Sequence, residues 1–142
     1  MNRNSRLLHV VFGACLFAVA GCVTPLNNQQ LAEYDRLSAQ GRLVEQKDPK
    51  VAAAMGILPG GGSFYTREWG LGIVNLALWP YSILWDPISA MDAAKKTNYY
   101  ATKTAMQQER QSELTSLNRQ LEDDAITQTE YLAQMRMIED TY

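Results

Sequence analysis

Apolar residues fall along this chain in several different rhythms. Leu7 to Ala20 is an almost unbroken apolar stretch, interrupted only by His9 and Gly13. Val23 to Gln30 is short and polar, and reaches at most ~26–29 Å when extended. From about Gln29 to Gln46 the period turns helical, with Leu31, Tyr34, Leu37 and Val44 on one face and Glu33, Arg36 and Glu45 opposite. Asn28 is the expected N-cap, while Gly41 interrupts the pattern. Asp48-Pro49 predicts a second helix through Leu58, capped by the aspartate and started by a proline in its first turn.

Residues 51–91 are patterned differently. Val51 to Leu58 is apolar and alanine-rich, and Pro59-Gly60-Gly61-Gly62 predicts a break. Ser63 to Gly70 reads as an aromatic turn containing Phe64, Tyr65 and Trp69. Leu71 to Trp85 then runs without a charge, interrupted by Asn75, Pro80 and Ser82. All three tryptophans, Trp69, Trp79 and Trp85, lie in this block. Trp and Tyr at the edges of an apolar segment suit a membrane interface.

The last third is polar and helical. Asp86-Pro87 repeats the cap-and-proline device and predicts a helix from about Pro87 to Glu122, with a possible break near Asn98-Tyr99-Tyr100. Leu114, Leu117 and Leu121 share one face of it. A turn is expected at Asp123-Asp124-Ala125. Thr127 and Glu130 form a capping box for a closing helix with Tyr131, Met135 and Ile138 on one face. The fold class is therefore all-α. The segments are 1–21, 22–30, an amphipathic helix at 31–49, an apolar helical hairpin at 50–92, and a polar helix with a C-terminal hairpin at 93–142.

Charge placement changes the meaning of the first segment. Arg3 and Arg6 precede the apolar stretch without any acidic residue, and small residues follow it at Ala20-Gly21. That is the build of a secretory signal, and the stretch is too short for the ~20 residues of a spanning helix. The tetrad Val19-Ala20-Gly21-Cys22 resembles the lipobox of bacterial lipoproteins. The resemblance implies cleavage between Gly21 and Cys22, a diacylglyceryl group on the Cys22 sulfur and an acylated new N-terminus. Several acyl chains give stable anchoring, since each buried CH₂ contributes roughly 0.8 kcal/mol. With Val23 rather than Asp after the cysteine, the family's sorting rule implies the outer membrane, facing the periplasm.

Removing residues 1–21 takes two of the 13 basic residues and none of the 15 acidic ones, leaving a mature net charge of −4. An acidic body does not suit electrostatic docking on anionic lipid, and nucleic-acid binding lacks a basic footprint. His9 and Cys15 leave with the signal. The mature chain then has no histidine and no free thiol, which removes most hydrolase, metal and redox chemistries.

A spanning hairpin meets two objections. A 15-residue helix rises ~22 Å against a hydrocarbon core of ~30 Å. Two spans would also leave Lys47, Lys50, Lys95 and Lys96 outside and Arg67 inside, which inverts the positive-inside preference. A shallow hairpin on one leaflet, or one buried in an oligomer, is expected instead. The turn residues Pro59, Gly60, Gly61, Gly62, Phe64 and Tyr65, with Trp69-Gly70-Leu71-Gly72 and Asp86, resemble the two-transmembrane-hairpin domain family. The short first apolar helix and Pro80 depart from that pattern. The C-terminal unit, through Leu114, Leu117, Leu121, Ile126, Thr127, Glu130 and Tyr131, resembles the SHOCT-type domain. Asp124 stands near the place of that family's turn glycine and can adopt a left-handed conformation. The resemblance implies a face for protein contact or self-assembly made of Leu114, Leu117, Leu121, Ile126, Tyr131, Met135 and Ile138.

Catalytic readings fare poorly. The glycine run lacks the lysine of a phosphate loop. Glu122-Asp123-Asp124 lacks the ligand spacing of a calcium loop. Ser63 and Thr66 have no histidine to activate them, and Lys95 and Lys96 sit in a polar helix. No catalytic residue, metal or cofactor is expected. The sequence points to a non-enzymatic, lipid-anchored envelope protein with a protein partner or a second copy of itself. A phage or prophage envelope lipoprotein, acting in superinfection exclusion or lysis, shares every one of these features.

Overall fold

The computed structural model describes residues 24–142. It is all-helical, as expected. The signal segment, Gly21 and Cys22 lie outside the described residues.

Helix α1 (Asn28–Ala39) starts one residue earlier than the periodicity suggested. Its N-cap is Asn27, not Asn28. The Asn27 side chain accepts from the Gln30 N–H at 2.9 Å, and Gln30 Oε1 accepts from the Asn27 N–H at 3.0 Å. This reciprocal pair satisfies two otherwise free backbone donors. The helix stops well short of Gln46, because Gly41 takes φ +66° and turns the chain. Residues 42–47 then form a non-helical strap, so the amphipathic helix expected over 31–49 is shorter than its apolar pattern.

Helix α2 (Pro49–Met55) has the predicted cap, with Asp48 Oδ1 accepting from the N–H groups of Lys50 at 2.7 Å and Val51 at 3.2 Å. It ends before Leu58, and the Gly56 that closes it packs on the chain at Pro87. A Cβ on Gly56 would lie 2.5 Å from the Pro87 nitrogen. Gly60, at φ +67°, makes the expected turn. Yet the helix resumes inside the glycine run as α3 (Gly61–Tyr65).

The apolar run is not one helix either. Helix α4 (Trp69–Ala77) closes before Pro80, and a single 3₁₀ turn, η1 (Tyr81–Leu84), follows. Proline lacks an N–H for the ladder and so ends the helix rather than kinking it. Among the described residues no helix is long and apolar enough to cross a membrane.

Helix α5 (Asp86–Glu122) is the spine, 37 residues without the suspected break at Asn98. At 1.5 Å per residue it is about 55 Å long. Helices α1 to α3 pack on its N-terminal half, and α4 packs on α3. There Ala52, Ala90 and Ala94 form a buried small-residue contact that brings α2 close to α5, with Tyr65 packed beside it. Helix α6 (Gln128–Thr141) folds back antiparallel on the C-terminal end. Tyr131 donates to Asn118 Oδ1 at 2.9 Å, and Tyr142 to Glu113 Oε1 at 3.2 Å. The Thr127–Glu130 capping box is present, and Asp124 takes the left-handed conformation at φ +54°.

Candidate functional site

The hairpin of residues 56–88 has its polarity reversed. Its fully buried side chains are polar: Ser63, Asn75, Ser82 and Asp86. Ser63 Oγ donates to Asp86 Oδ1 at 2.6 Å. Asn75 Nδ2 lies 3.0 Å from Ser63 Oγ and 2.8 Å from Asp86 Oδ1, and donates to both. Trp85 Nε1 donates to Asn75 Oδ1 at 2.9 Å. One polar cluster thus ties α3, α4 and the start of α5 together. Among the described residues Asp86 Oδ2 and Ser82 Oγ are buried without a hydrogen-bond partner, which adds to the cost of holding this cluster inside.

The Asp86 side chain corrects a sequence expectation. The helix N-cap is Trp85, Asp86 is the first residue of α5, and its carboxylate turns inward instead of capping. A carboxylate in the first turn is still favoured by the positive end of the helix dipole. Ser63, weighed above as a nucleophile, is sealed from solvent by the same cluster.

The apolar side chains, by contrast, face out. Trp69 is 66% exposed, Ile73 62% and Leu84 76%, and Ile57, Leu76, Trp79, Tyr81 and Ile88 are at least half exposed. Along α4 the spacing of Trp69, Ile73 and Leu76 puts them on one stripe, while Asn75 and Gly72 form the buried side. Monomers in water rarely expose so many adjoining large apolar groups. The turn residues named from the sequence are divided by this arrangement. Gly60 and Gly62 are buried, Gly61, Phe64 and Tyr65 are half-buried, and Pro59 is exposed. Gly62 is closely packed on the spine, because a Cβ there would come within 2.7 Å of the Ala90 Cβ. The glycines therefore pack helices together as well as turning the chain.

A second buried polar pair escaped the sequence reading. Asn98 Oδ1 accepts from the N–H groups of Gln46 and Lys47, each at 2.9 Å, and its Nδ2 donates to the Lys47 carbonyl at 2.7 Å. Thr102 Oγ1 accepts from the Val44 N–H at 2.8 Å and donates to the Asn98 carbonyl at 2.7 Å. Asn and Thr four residues apart on one face were the available signal. Nearby, Tyr99 donates to Glu33 Oε2 at 2.7 Å and Lys103 Nζ lies 2.9 Å from Glu33 Oε1. The Tyr99 and Lys103 hydrogen bonds hold the Glu33 carboxyl below its ordinary value, and the bond to Glu33 pushes Tyr99 up to about 12.

At the other end, the expected contact face turns inward. Leu117 is buried, and Leu114, Leu121, Ile126, Tyr131, Met135 and Ile138 are half-buried. This face is largely used in closing α5 against α6. On α6 the large apolar side chains left exposed are Leu132 and Met137. Among the described residues no three His, Cys, Asp or Glu side chains are grouped to hold a metal ion. No protein-family model matches the chain, and no curated protein or solved structure matches it either.

Proposed function

We propose that this is a non-catalytic, lipid-anchored protein of the bacterial envelope, built to hold a helical interaction module at a membrane surface. The observation that carries the reading is the reversed hairpin. Polar groups inside and large apolar groups outside are the arrangement expected where the surrounding medium is itself apolar. The lipobox-like Val19-Ala20-Gly21-Cys22 supplies the means of reaching that medium, with acyl chains on Cys22. The short tether keeps the body near the bilayer. The α5–α6 unit, polar on its outer surface, is the part offered to a protein partner or a second copy.

Labelling cells with palmitate tests the anchor. The wild-type chain is expected to incorporate label and to fractionate with membranes, whereas Cys22→Ala takes up none. Label entering the Cys22→Ala chain would overturn the reading.

A further inference from the structure

The reversed hairpin and the charge along the spine point to a definite orientation on the membrane. We propose that the stripe carrying Trp69, Ile73 and Leu76, with Trp79 and Leu84 beyond it, is a foot seated in the outer part of one lipid leaflet. Helix α5 is the strut that carries the α5–α6 tip away from that leaflet. This rests on the anchor reading above, and goes on to name the lipid leaflet as the occupant of the apolar face.

Three observations select lipid rather than a second protein copy. First, the hairpin hides its hydrogen-bonding groups. Asn75, Ser63, Asp86 and the Trp85 N–H bond to one another. The turn backbone bonds internally as well, with the N–H groups of Tyr81, Ile83 and Trp85 donating to Leu78, Pro80 and Ser82 carbonyls. A lipid-facing segment must satisfy its backbone in this way, since acyl chains offer no partners. A protein interface would keep polar groups at its rim.

Second, the net charge of −4 conceals an uneven distribution. Residues 22–103 are nearly balanced, with eight basic and seven acidic side chains, one of the latter being the buried Asp86. Residues 104–142 carry three basic and eight acidic ones. The tip is therefore strongly acidic, whereas around the apolar stripe, between Val51 and Ala94, Arg67 stands with Glu68, Asp92 and the buried Asp86. An anionic lipid surface repels the acidic tip over a range of about a Debye length, which favours an orientation with the tip away from the leaflet. Arg67, the one basic residue between Val51 and Ala94, is exposed beside Trp69.

Third, the tether has the length this mount needs. The start of α1 lies beside Tyr100, where Gln30 Nε2 donates to the tyrosine hydroxyl at 3.3 Å. Tyr100 is about 21 Å along α5 from Asp86. The six residues from Cys22 to Asn28 reach at most about 20–22 Å. The acylated cysteine can thus descend along the strut to the level of the foot, and both attachments enter one leaflet.

The test uses the full chain, processed in cells and reconstituted in phosphatidylethanolamine–phosphatidylglycerol vesicles. Intrinsic fluorescence reports the foot alone, because every tryptophan lies there. With acyl chains brominated close to the headgroup, emission is expected to fall by at least about half, the depth of an interfacial helix being about 5–10 Å. An Ala125→Cys variant carries a donor dye at the tip, with acceptor lipids in the membrane. The expected tip-to-surface distance is beyond about 30 Å, on a strut of about 55 Å. Unquenched tryptophans in protein whose mass shows the acyl groups overturn the lipid foot, and concentration-dependent cross-linking of such protein would assign the face to a second copy. A tip closer than about 30 Å overturns the strut. If the mass lacks the acyl groups, the anchor reading fails by that measurement alone, and quenching is then read from protein added to preformed vesicles.

Discussion

Replacing Asn75 with leucine separates this hairpin from an ordinary hydrophobic core. The substitution keeps the branching at Cγ and raises hydrophobicity at a fully buried position, though its two methyl groups are bulkier than the amide they replace. Here Asn75 donates to Ser63 Oγ and to Asp86 Oδ1 and accepts from Trp85 Nε1. Leucine ends all three bonds and leaves Ser63 as the sole donor to the Asp86 carboxylate. A neutral hydrogen bond contributes about 1 kcal/mol, and one to a charged group about 1.5–3 kcal/mol. The summed loss is about 3–5 kcal/mol, a large part of the stability of a small domain. Urea unfolding of the detergent-solubilised protein, followed by tryptophan emission, reads the hairpin directly. Ile73→Ser is the counterpart, since Ile73 is 62% exposed and makes its change on the outer stripe. In detergent-free solution of the unanchored chain it is expected to alter stability by less than about 0.5 kcal/mol. A loss below about 1 kcal/mol for Asn75→Leu would refute the claim that the polar cluster holds the hairpin.

Three further outcomes are expected. Gly62→Ala places a Cβ within 2.7 Å of the Ala90 Cβ and 2.9 Å of the Gly56 Cα, so α3 must back away from α5 at a cost of about 1–3 kcal/mol by denaturant midpoint. Gly70→Ala, with open space around the new Cβ, is its control. At Asp124, φ +54°, valine is expected to lose about 1–2 kcal/mol while glycine does not, because a branched Cβ opposes the left-handed conformation; thermal melting of the full chain distinguishes them. Glu33 has a folded pKa below its unfolded value of 4.5, so its contribution is present above that pH and disappears as pH falls through the lower folded value. Melting temperature against pH should therefore decline less steeply below about pH 4.5 in Glu33→Gln than in the parent chain.

Much of the local structure was legible because it depends on near neighbours. The Asp48-Pro49 start, the Thr127–Glu130 box, the Gly60 turn and the left-handed Asp124 each follow from backbone groups a few residues away. Helix ends at Ala39 and Met55 were less legible. Apolar periodicity continues past both, and the helices stop where Gly41 turns the chain and where Gly56 meets Pro87. Asn98 illustrates the limit. Beside two tyrosines it resembles a helix interruption, but in the folded chain it is buried and its amide clasps the strap at Gln46 and Lys47.

The sequence by itself determined an all-helical chain and the placement of its apolar block. The tertiary structure alone decided which way that block faces. Residues 71–85 read the same whether Asn75 points to solvent and the leucines inward, or the reverse. The choice depends on Ser63 and Asp86, twelve residues before Asn75 and eleven after it, meeting it in one buried cluster. A helix has both a polar and an apolar side available for burial. Here Ser63, Asn75 and Asp86 bond to one another in the interior, and the large apolar side chains of the hairpin lie outside.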